Sequence, residues 1–230
     1  MKKKSEDLMD NNLSIIIPAA GYCRKMGDLH KATLRLPDGK ILIQRQIDLL
    51  KMFFPKADLT VVVGYKSQKL IDVLPNKIRI VENENSLNTS IARSILLGLR
   101  VNINPKVLII NGDIVFNKSV LNNINTNKSS VITGNHLNGN VGVTSNNNSV
   151  EHIDFGIKKN KWLNMFTLTG LELTEFKRIA CAKNGDKLLS WEIINKIIDN
   201  GGIFNLCKSE GSVLQIDQTK DIKKIDKVML

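Results

Sequence analysis

The residues best suited to chemistry lie at the end of the first apolar segment and in the loop that follows it. Leu13–Pro18 is an apolar run, followed by Ala-Ala-Gly at 19–21 and then by the basic residues Arg24, Lys25 and Lys31. Small residues at the carboxyl end of a strand let backbone N–H groups approach an anion, and open α/β sheets bind ligands at that edge. The segment indicates a phosphate-binding loop, although a strand-to-helix turn with solvated lysines has a similar composition.

This loop matches neither of the two common phosphate-binding patterns. Gly21 is followed by Cys23 and Met26, where a dinucleotide-binding GxGxxG loop has its second and third glycines. The sequence also lacks the GK[ST] ending of a Walker loop. The loop is therefore typical of neither a dinucleotide-binding site nor a P-loop NTPase.

Two aspartates that follow apolar strands are candidate metal ligands. Asp113 follows the apolar segment 106–110 through Asn-Gly, and Asp217 follows the segment 212–216. A carboxylate at the end of a strand, beside a phosphate loop, is well placed to bind Mg²⁺ through oxygen. Asn-Gly-Asp is also a good turn, and Asp217 could equally be a helix N-cap. Asp221 is interpreted as an acid in the first turn of a helix.

These residues are carried by short apolar runs that alternate with helical patterns. Continuous apolar runs are typical of parallel strands that are buried on both faces. A β-α-β-α-β-α-β order predicts an α/β protein, a three-layer α/β/α fold around a mixed, mostly parallel sheet. The predicted strands are 13–18, 59–63, 77–81 and 106–110, and the predicted helices are 42–54, 67–74 and 89–99.

The texture of the sequence changes after Asp113, where asparagines and short β-prone segments become frequent. We interpret 114–175 as a small antiparallel insertion within one domain that spans 13–230, preceded by a frayed segment at 1–12. Further strands are expected at 130–133, 141–144, 150–155, 161–167 and 212–216, and helices at 188–199 and 220–227.

Composition places the chain among ordinary globular proteins. Hydrophobic residues make up 42% and charged residues 24% of the 230 residues, which excludes a disordered chain. The three cysteines are scattered and form no CxxC pair, which argues for a reducing cytoplasm and against a disulfide or zinc framework. No apolar stretch near the start is long enough for a membrane span, so no membrane association is expected.

The net charge of +11 raises the question of a polyanionic partner. Only seven of the 33 basic residues are arginine, the side chain that nucleic-acid readers favour. The lysines are interleaved with acids, and two Trp, two Tyr and seven Phe offer few stacking platforms. We therefore expect no nucleic-acid partner and interpret the charge as serving a cleft for a small phosphorylated substrate.

The motifs, in this order and spacing, resemble the nucleotidylyltransferases of the sugar-phosphate and phosphocholine type, which have a GT-A-like fold. Their opening motif, A-A-G-x-G-x-R-[LM] followed by a lysine, is matched by residues 19–26 and Lys31. The His30-Lys31 pair and the I-D-x-x-x-D ending look most like the small CTP-using branch. Further motifs are matched at Asp38–Leu50, Val61–Tyr65, Glu84–Ile91, Gly112–Ile114 and Ile216–Ile222.

The resemblance implies that an acceptor phosphate attacks the α-phosphorus of an NTP, with CTP expected, and releases pyrophosphate. It implies Lys31 and Lys25 as catalytic residues, with Asp113 and Asp217 as ligands of a Mg²⁺ cofactor. Lys31 would contact the α-phosphate, and Lys25 the β- and γ-phosphates. The remaining implied contacts are Ala19, Ala20, Gly21, Tyr22, Cys23, Arg24, Ser90 and Gly112 for the nucleotide, and Lys158, Trp162 and Thr169 for a small phosphorylated acceptor.

Two positions depart from the pattern of the family. Cys23 replaces the second loop glycine, and Lys25 stands where the family has Arg. Lysine keeps the charge but loses the bidentate fork that grips phosphate. The alternatives are a sugar-1-phosphate nucleotidylyltransferase that uses UTP or dTTP, or a non-catalytic nucleotide-binding relative. A glycosyltransferase of related fold would need a D-x-D metal motif, and the chain has Asn111-Gly112-Asp113 instead.

Some aromatic residues and histidines admit simpler interpretations. Trp162 could face a quaternary amine on the acceptor, or it could pack within the sheet. Trp191 lies on an amphipathic pattern and is expected in the core, whereas His136 and His152 are expected at the surface. The resemblance leaves the choice between a monomer and a homodimer open.

Overall fold

One mixed sheet of ten strands organises the chain. The computed structural model describes residues 12–27, 29–157 and 159–229. The strands are β1 (Leu13–Pro18), β2 (Asp58–Val63), β3 (Arg79–Glu82), β4 (Lys106–Ile110), β5 (Ile114–Phe116), β6 (Ser130–His136), β7 (Val141–Asn146), β8 (Ser149–Phe155), β9 (Trp162–Thr169) and β10 (Asn205–Gln215).

The strand order is β3-β2-β1-β4-β9-β6-β10-β8-β7, with the short β5 paired to β10 outside this path. The first four strands of this order run parallel to one another, and β9 runs antiparallel between β4 and β6. β6 and β10 are again parallel, and β7 and β8 form an antiparallel hairpin at the edge. The α/β class and the mixed, mostly parallel sheet are thus confirmed.

Helices cover both faces of the sheet. Every residue of β1 is buried, and its side chains alternate between two apolar cores. The helices are α1 (Leu42–Phe53), α2 (Ser67–Ile71), α3 (Ile91–Arg100), α4 (Gly170–Cys181), α5 (Ser190–Asp199), α6 (Thr219–Ile222) and α7 (Asp226–Met229). Ile16 belongs to the core that includes residues of α3, α4 and α5, and Ile15 and Ile17 belong to the core that includes residues of α1 and α2.

The second half of the chain differs from the sequence prediction in several places. β6 and β9 lie inside the main sheet, so only the hairpin of β7 and β8 stands at its edge. β5 and α4 are additional elements; α4 has a thin apolar face of Leu173, Phe176, Ile179 and Ala180 between polar residues, which weakens its helical pattern. β10 begins at Asn205, and the predicted terminal helix is divided into α6 and α7.

None of the helices in the described ranges is long and apolar enough to cross a membrane. The predicted frayed segment at 1–12 lies, except for its last residue, outside the described residues.

Gly98 lets α3 approach the sheet closely, which gives a test of the packing. A Cβ at this position would lie 2.7 Å from Ile16 Cγ2 and 3.3 Å from Val62 Cγ2. Overpacking of a core costs about 1–3 kcal/mol, which exceeds the gain of about 1 kcal/mol in helix propensity. We expect Gly98→Ala to lower the free energy of unfolding by about 1 kcal/mol in denaturant titrations.

The control is the same substitution in an Ile16→Ala background, where the obstructing methyl group is gone. There Gly98→Ala should be neutral or stabilising, because only the propensity gain remains. Equal losses in both backgrounds would contradict the close approach of α3 to β1.

Candidate active site

The carboxyl ends of β1 and β4 meet at one edge of the sheet, where small residues allow close contact. The two strands pair in parallel, and the Gly112 backbone N–H donates to the Pro18 carbonyl at 3.1 Å. A Cβ on Gly112 would lie 2.7 Å from the Ala19 Cβ, so a larger residue would push the two loops apart. The small residues therefore hold Asp113 directly beside the loop that follows β1.

The short strand β5 brings the second aspartate to the same place. β5 pairs antiparallel with β10, with Gln215 opposite Ile114. Beyond that pair, the Ile216 backbone N–H donates to the Asp113 carbonyl at 2.8 Å. Asp217 follows Ile216 directly and therefore lies beside the turn that carries Asp113.

Lys31 lies between the two carboxylates. Its Nζ donates to Asp113 Oδ2 at 2.9 Å and to Asp217 Oδ1 at 3.2 Å. Burial by itself would lower the pKa of Lys31, but the two carboxylates outweigh it and raise that pKa well above its ordinary value. Lys31 is therefore a cation throughout the physiological pH range.

The convergence of two carboxylates on one cation fits a Mg²⁺ site. Mg²⁺ is commonly held by one or two carboxylates together with substrate phosphates rather than by an all-protein cage. Within the described part of the chain no group of three or more His, Cys, Asp or Glu side chains could hold a metal ion. Asp113 and Asp217 therefore fit Mg²⁺ that is bound jointly with phosphate.

Two side-chain amides support the turn that carries Asp113. From α1, Gln46 Nε2 donates to the carbonyls of Asn111 and Ile114 at 3.0 and 2.7 Å. From β10, Gln215 Nε2 donates to Asp113 Oδ2 at 3.2 Å. Gln46 thereby holds the backbone on both sides of Asp113, and Gln215 holds its carboxylate.

His136 is buried close to this turn, so the expectation that it lies at the surface is wrong. Its side chain is 1% exposed, because β6 lies inside the sheet rather than in a peripheral insertion. Burial, together with nearby Lys161, lowers the pKa of His136 to about 4. Its imidazole is therefore neutral at pH 7. His152 is half exposed and pairs with Asp154, as expected of a surface residue.

A cavity of about 470 Å³ opens over this cluster, within the size range of small-molecule sites. One side is formed by the loop after β1, the end of β4 and the loop that leads into α3. The residues on that side are Pro18, Ala19, Ala20, Gly21, Tyr22, His30, Lys31, Ala32, Ser86, Thr89, Ser90, Ile91, Ser94, Asn111, Gly112 and Asp113.

Three aromatic residues also line the cavity: Phe155, Trp162 and Trp191. Trp191, expected in the core, is half-buried and meets Phe155 edge-to-face, with ring centroids 5.5 Å apart. Trp162 is buried, and its Nε1 donates to the Met165 carbonyl at 3.0 Å while part of the residue borders the cavity. The remaining lining residues are Val141, Phe155, Trp162, Asn164, Leu189, Ser190, Trp191, Gln215 and Asp217.

Most of the site residues that the sequence predicts lie around this cavity. Cys23 is just outside its lining, where its Sγ donates to the Asp217 carbonyl at 3.3 Å. The Ser90 hydroxyl donates to the Leu188 carbonyl and accepts from Ala92 N, which caps α3. It therefore links the start of α3 to the segment that precedes α5. The predicted residues that line the cavity are Ala19, Ala20, Gly21, Tyr22, Lys31, Ser90, Gly112, Asp113, Trp162 and Asp217.

Besides Cys23, three of the predicted residues that the structure describes do not line the cavity. Arg24 and Lys25 are exposed on a short 3₁₀ helix, beyond the cavity lining. Thr169 pairs with Lys106 at the start of β4, at the opposite edge of the sheet, because β9 runs antiparallel to β4. Thr169 therefore does not line the cavity. Lys158 lies outside the described residues.

Sequence reasoning missed the polar residues beneath the cavity. Gln215 precedes Asp217 by two residues, and the period of a strand places such residues on the same face. Asn164 is an amide within the otherwise apolar segment Trp162–Phe166, which is unusual for a buried strand. Gln46 and His136 carry no comparable signal in the sequence.

Comparisons with known proteins bear on the fold of the chain. No protein-family model matches the sequence, and neither does any curated protein. Among solved structures, an inositol-1-phosphate CTP transferase from T. maritima is 18% identical, with a TM-score of 0.73 over 95% of this chain and 98% of that one.

Two further structures are similar over nearly their whole lengths. A CTP:phosphocholine cytidylyltransferase from Streptococcus pneumoniae is 17% identical, with a TM-score of 0.76 over 94% of this chain and 99% of that one. A nucleoside-diphosphate-sugar pyrophosphorylase from Vibrio cholerae is 12% identical, with a TM-score of 0.70 over 93% and 99%. The chain therefore has the fold of nucleotidyltransferases.

The buried His136 predicts a loss of stability in mild acid. Its pKa in the folded protein is about 4 against an ordinary 6.5. Well above pH 6.5 the imidazole is neutral in both the folded and the unfolded state, so its protonation has no effect on stability there. As the pH falls from 6.5 towards 4, the unfolded chain binds a proton that the folded protein does not, which favours unfolding. The loss reaches about 3 kcal/mol at most.

The measurement compares His136→Gln with the wild type by chemical denaturation between pH 7 and pH 4.5. As the pH falls, the free energy of unfolding should decrease less for His136→Gln than for the wild type. His152→Gln, at the half-exposed histidine, is the matched control and should follow the wild type. Parallel profiles for His136→Gln and the wild type would contradict the neutral, buried imidazole.

Proposed function

We propose that this protein is a nucleotidylyltransferase that joins an NTP, CTP by preference, to a small phosphorylated acceptor and releases pyrophosphate. The observation that carries the proposal is the convergence of Asp113 and Asp217 on Lys31 at the mouth of the loop after β1. The similar nucleotidyltransferase structures support it.

The proposed reaction is an attack by an acceptor phosphate oxygen on the α-phosphorus of the nucleotide. The new bond forms between this oxygen and the α-phosphorus, and the bond to the β-phosphate oxygen breaks. Because the attacking oxygen is already ionised, no general base is needed. Catalysis then consists of positioning and charge neutralisation.

Lys31 is the residue proposed to stabilise charge at the α-phosphate. An ammonium group carries three N–H donors, and two of them are used on Asp113 and Asp217. The third donor remains for a phosphate oxygen in the cavity. The raised pKa of Lys31 keeps it protonated, so it acts as a donor and not as a base.

The remaining nucleotide contacts follow the loop after β1. Backbone amides near Gly21 and Tyr22 are proposed to hold the phosphates, because these residues line the cavity. Lys25 is proposed to reach the β- and γ-phosphates from its exposed position. Asp113 and Asp217 would hold Mg²⁺, which when bound neutralises phosphate charge and orients the nucleotide.

The aromatic residues in the cavity lining support an acceptor that carries an alkylated amine, as phosphocholine does. Aromatic faces bind quaternary ammonium groups by cation–π attraction, and Phe155, Trp162 and Trp191 all border the cavity. The three free cysteines support a reducing compartment, and we propose that the enzyme works in the cytoplasm.

The first test is pyrophosphate release with Mg²⁺, each of the four NTPs and a panel of phosphorylated amines, polyols and sugar 1-phosphates. We expect release with CTP and a phosphorylated amine. Release with UTP or dTTP and a sugar 1-phosphate would favour the sugar-nucleotide alternative. No release with any pair, together with no NTP-induced thermal stabilisation, would refute the proposed function.

Removing the Asp113 carboxylate tests the centre of the site. Asp113→Ala should reduce the rate of pyrophosphate release by about 100-fold to 1,000-fold, because charge stabilisation at the transferred phosphorus is lost. Asp48→Ala is the control, since Asp48 is a half-exposed carboxylate paired with Lys40 on the surface. An unchanged rate in a folded Asp113→Ala variant would remove this residue from the site.

Replacing Trp191 tests its proposed contact with the acceptor. Trp191→Leu should raise the KM for a phosphorylated amine about tenfold, since a partly desolvated cation–π contact is worth about 1–2 kcal/mol. The KM for CTP should stay unchanged, and Trp191→Phe should retain most of the acceptor affinity. An equal rise in both KM values would instead indicate a general distortion of the cavity.

A further inference from the structure

A chain of two amides that line the cavity reaches the Asp113 carboxylate. Asn164 Nδ2 donates to Gln215 Oε1 at 3.0 Å, and Gln215 Nε2 donates to Asp113 Oδ2 at 3.2 Å. We propose that Asn164 and Gln215 are positioning residues that hold Asp113 in the orientation that binds the metal–nucleotide complex. This inference rests on the proposed function.

Gln215 fixes how the carboxylate is turned. Its Nε2 and Lys31 Nζ both reach the same oxygen of Asp113, Oδ2, at 3.2 and 2.9 Å. With both donors on one oxygen, rotation of the carboxylate is restrained, and Oδ1 is directed away from them. A carboxylate that is already oriented loses less conformational entropy when it binds a ligand.

Asn164 in turn fixes which end of the Gln215 amide faces Asp113. The NH₂ group of an asparagine can only donate, so it selects the oxygen of Gln215. The Gln215 NH₂ group must then point towards Asp113. If the Gln215 amide were flipped, its oxygen would face the carboxylate and repel it. The direction of these hydrogen bonds is therefore essential to the proposed role.

The backbone of Asn164 adopts a strained conformation at its position in β9. Asn164 has a φ of +57° within β9, at an irregularity where the pairing with β6 shifts register. A left-handed residue inside a strand is strained unless it is glycine, and asparagine tolerates it better than most. The bulge places Asn164 at the cavity, and its carbonyl accepts from Asn111 N at 3.2 Å.

The second N–H of the Asn164 amide is directed to His136, whose Nε2 lies 3.5 Å away. Because the amide nitrogen only donates, His136 must present an unprotonated Nε2. The amide chain therefore begins at a buried neutral imidazole and ends at Asp113, and each link has one permitted direction.

A purely structural role for these amides is less economical, because other contacts hold the strand. Asn138 Oδ1 accepts from Gln215 N at 3.1 Å, and Asn138 Nδ2 donates to the Gln215 carbonyl at 2.8 Å. The backbone of Gln215 is thus secured without its side chain. Asn138 consequently provides a matched control that touches the same residue but not the amide chain.

The experiment measures how much a metal strengthens nucleotide binding. Isothermal titration gives the Kd of CTP, or of the nucleotide identified by the four-NTP assay, once with EDTA and once with saturating Mn²⁺. The ratio of the two Kd values reports metal binding through the carboxylates. Gln215→Met, Asn164→Gly and Asn164→Asp should each reduce this ratio about tenfold, as loss of a supporting shell does, with the metal-free Kd unchanged.

The three variants separate positioning from folding. Asn164→Gly keeps the left-handed backbone without strain, so a purely structural role predicts no loss. Asn164→Asp keeps the size of the side chain but replaces the donor by an acceptor, which should turn the Gln215 amide around. The double variant Gln215→Met/Asn164→Asp should lose no more than either single variant, because both substitutions break the same chain.

The outcomes distinguish failure of this inference from failure of the proposed function. No metal enhancement in the wild type would overturn both. Enhancement that Asp113→Ala abolishes, but that all three variants retain, would overturn the positioning role alone. So would an equal loss in Asn138→Ala, or additive losses in the double variant, since either would place the effect in the strand rather than in the amide chain.

Discussion

The ion pairs of Lys31 with two aspartates are the interaction on which the site depends. Asp113 and Asp217 lie 82 and 186 residues from Lys31 in sequence, and two carboxylates this close repel unless a cation lies between them. Lys31 offsets that repulsion, and burial strengthens the attraction. In the proposed function, these three groups are the ones that would contact the phosphates and the metal ion of the substrate.

Each partner reaches this point because of a particular backbone pairing. The parallel pairing of β1 with β4 brings the loop that carries Lys31 beside the turn that carries Asp113. The three residues of β5 pair with β10 and thereby bring Asp217 from the far end of the chain. The close contact of Gly112 with Ala19 leaves no space between the two loops. Small residues and one short strand thus set the geometry of the charges.

The cavity keeps polar groups that stability alone would not favour. Within the described residues, the Nδ1 of His136 and the Oδ1 of Asn111 are buried with no hydrogen bond to another protein group. A buried polar atom without a partner costs about 1–3 kcal/mol. His30 and Asn111 line the cavity, and burial lowers the pKa of His30, as it does that of His136. Polar lining groups of this kind can bond to water or to a polar ligand.

The sequence by itself determined the local features: the apolar runs of the strands, the small-residue loop and the aspartates that follow β4 and β10. These depend on residue type and spacing over a few positions, which is why Lys31, Asp113 and Asp217 could be named as candidates. Only the tertiary structure decided that β9 runs antiparallel, which moves Thr169 to the opposite edge and buries His136 beneath the site. It also decided that β5 pairs with β10 and that Gln215 and Asn164 reach Asp113, because pairing between distant segments depends on the packing of the whole sheet and not on local pattern.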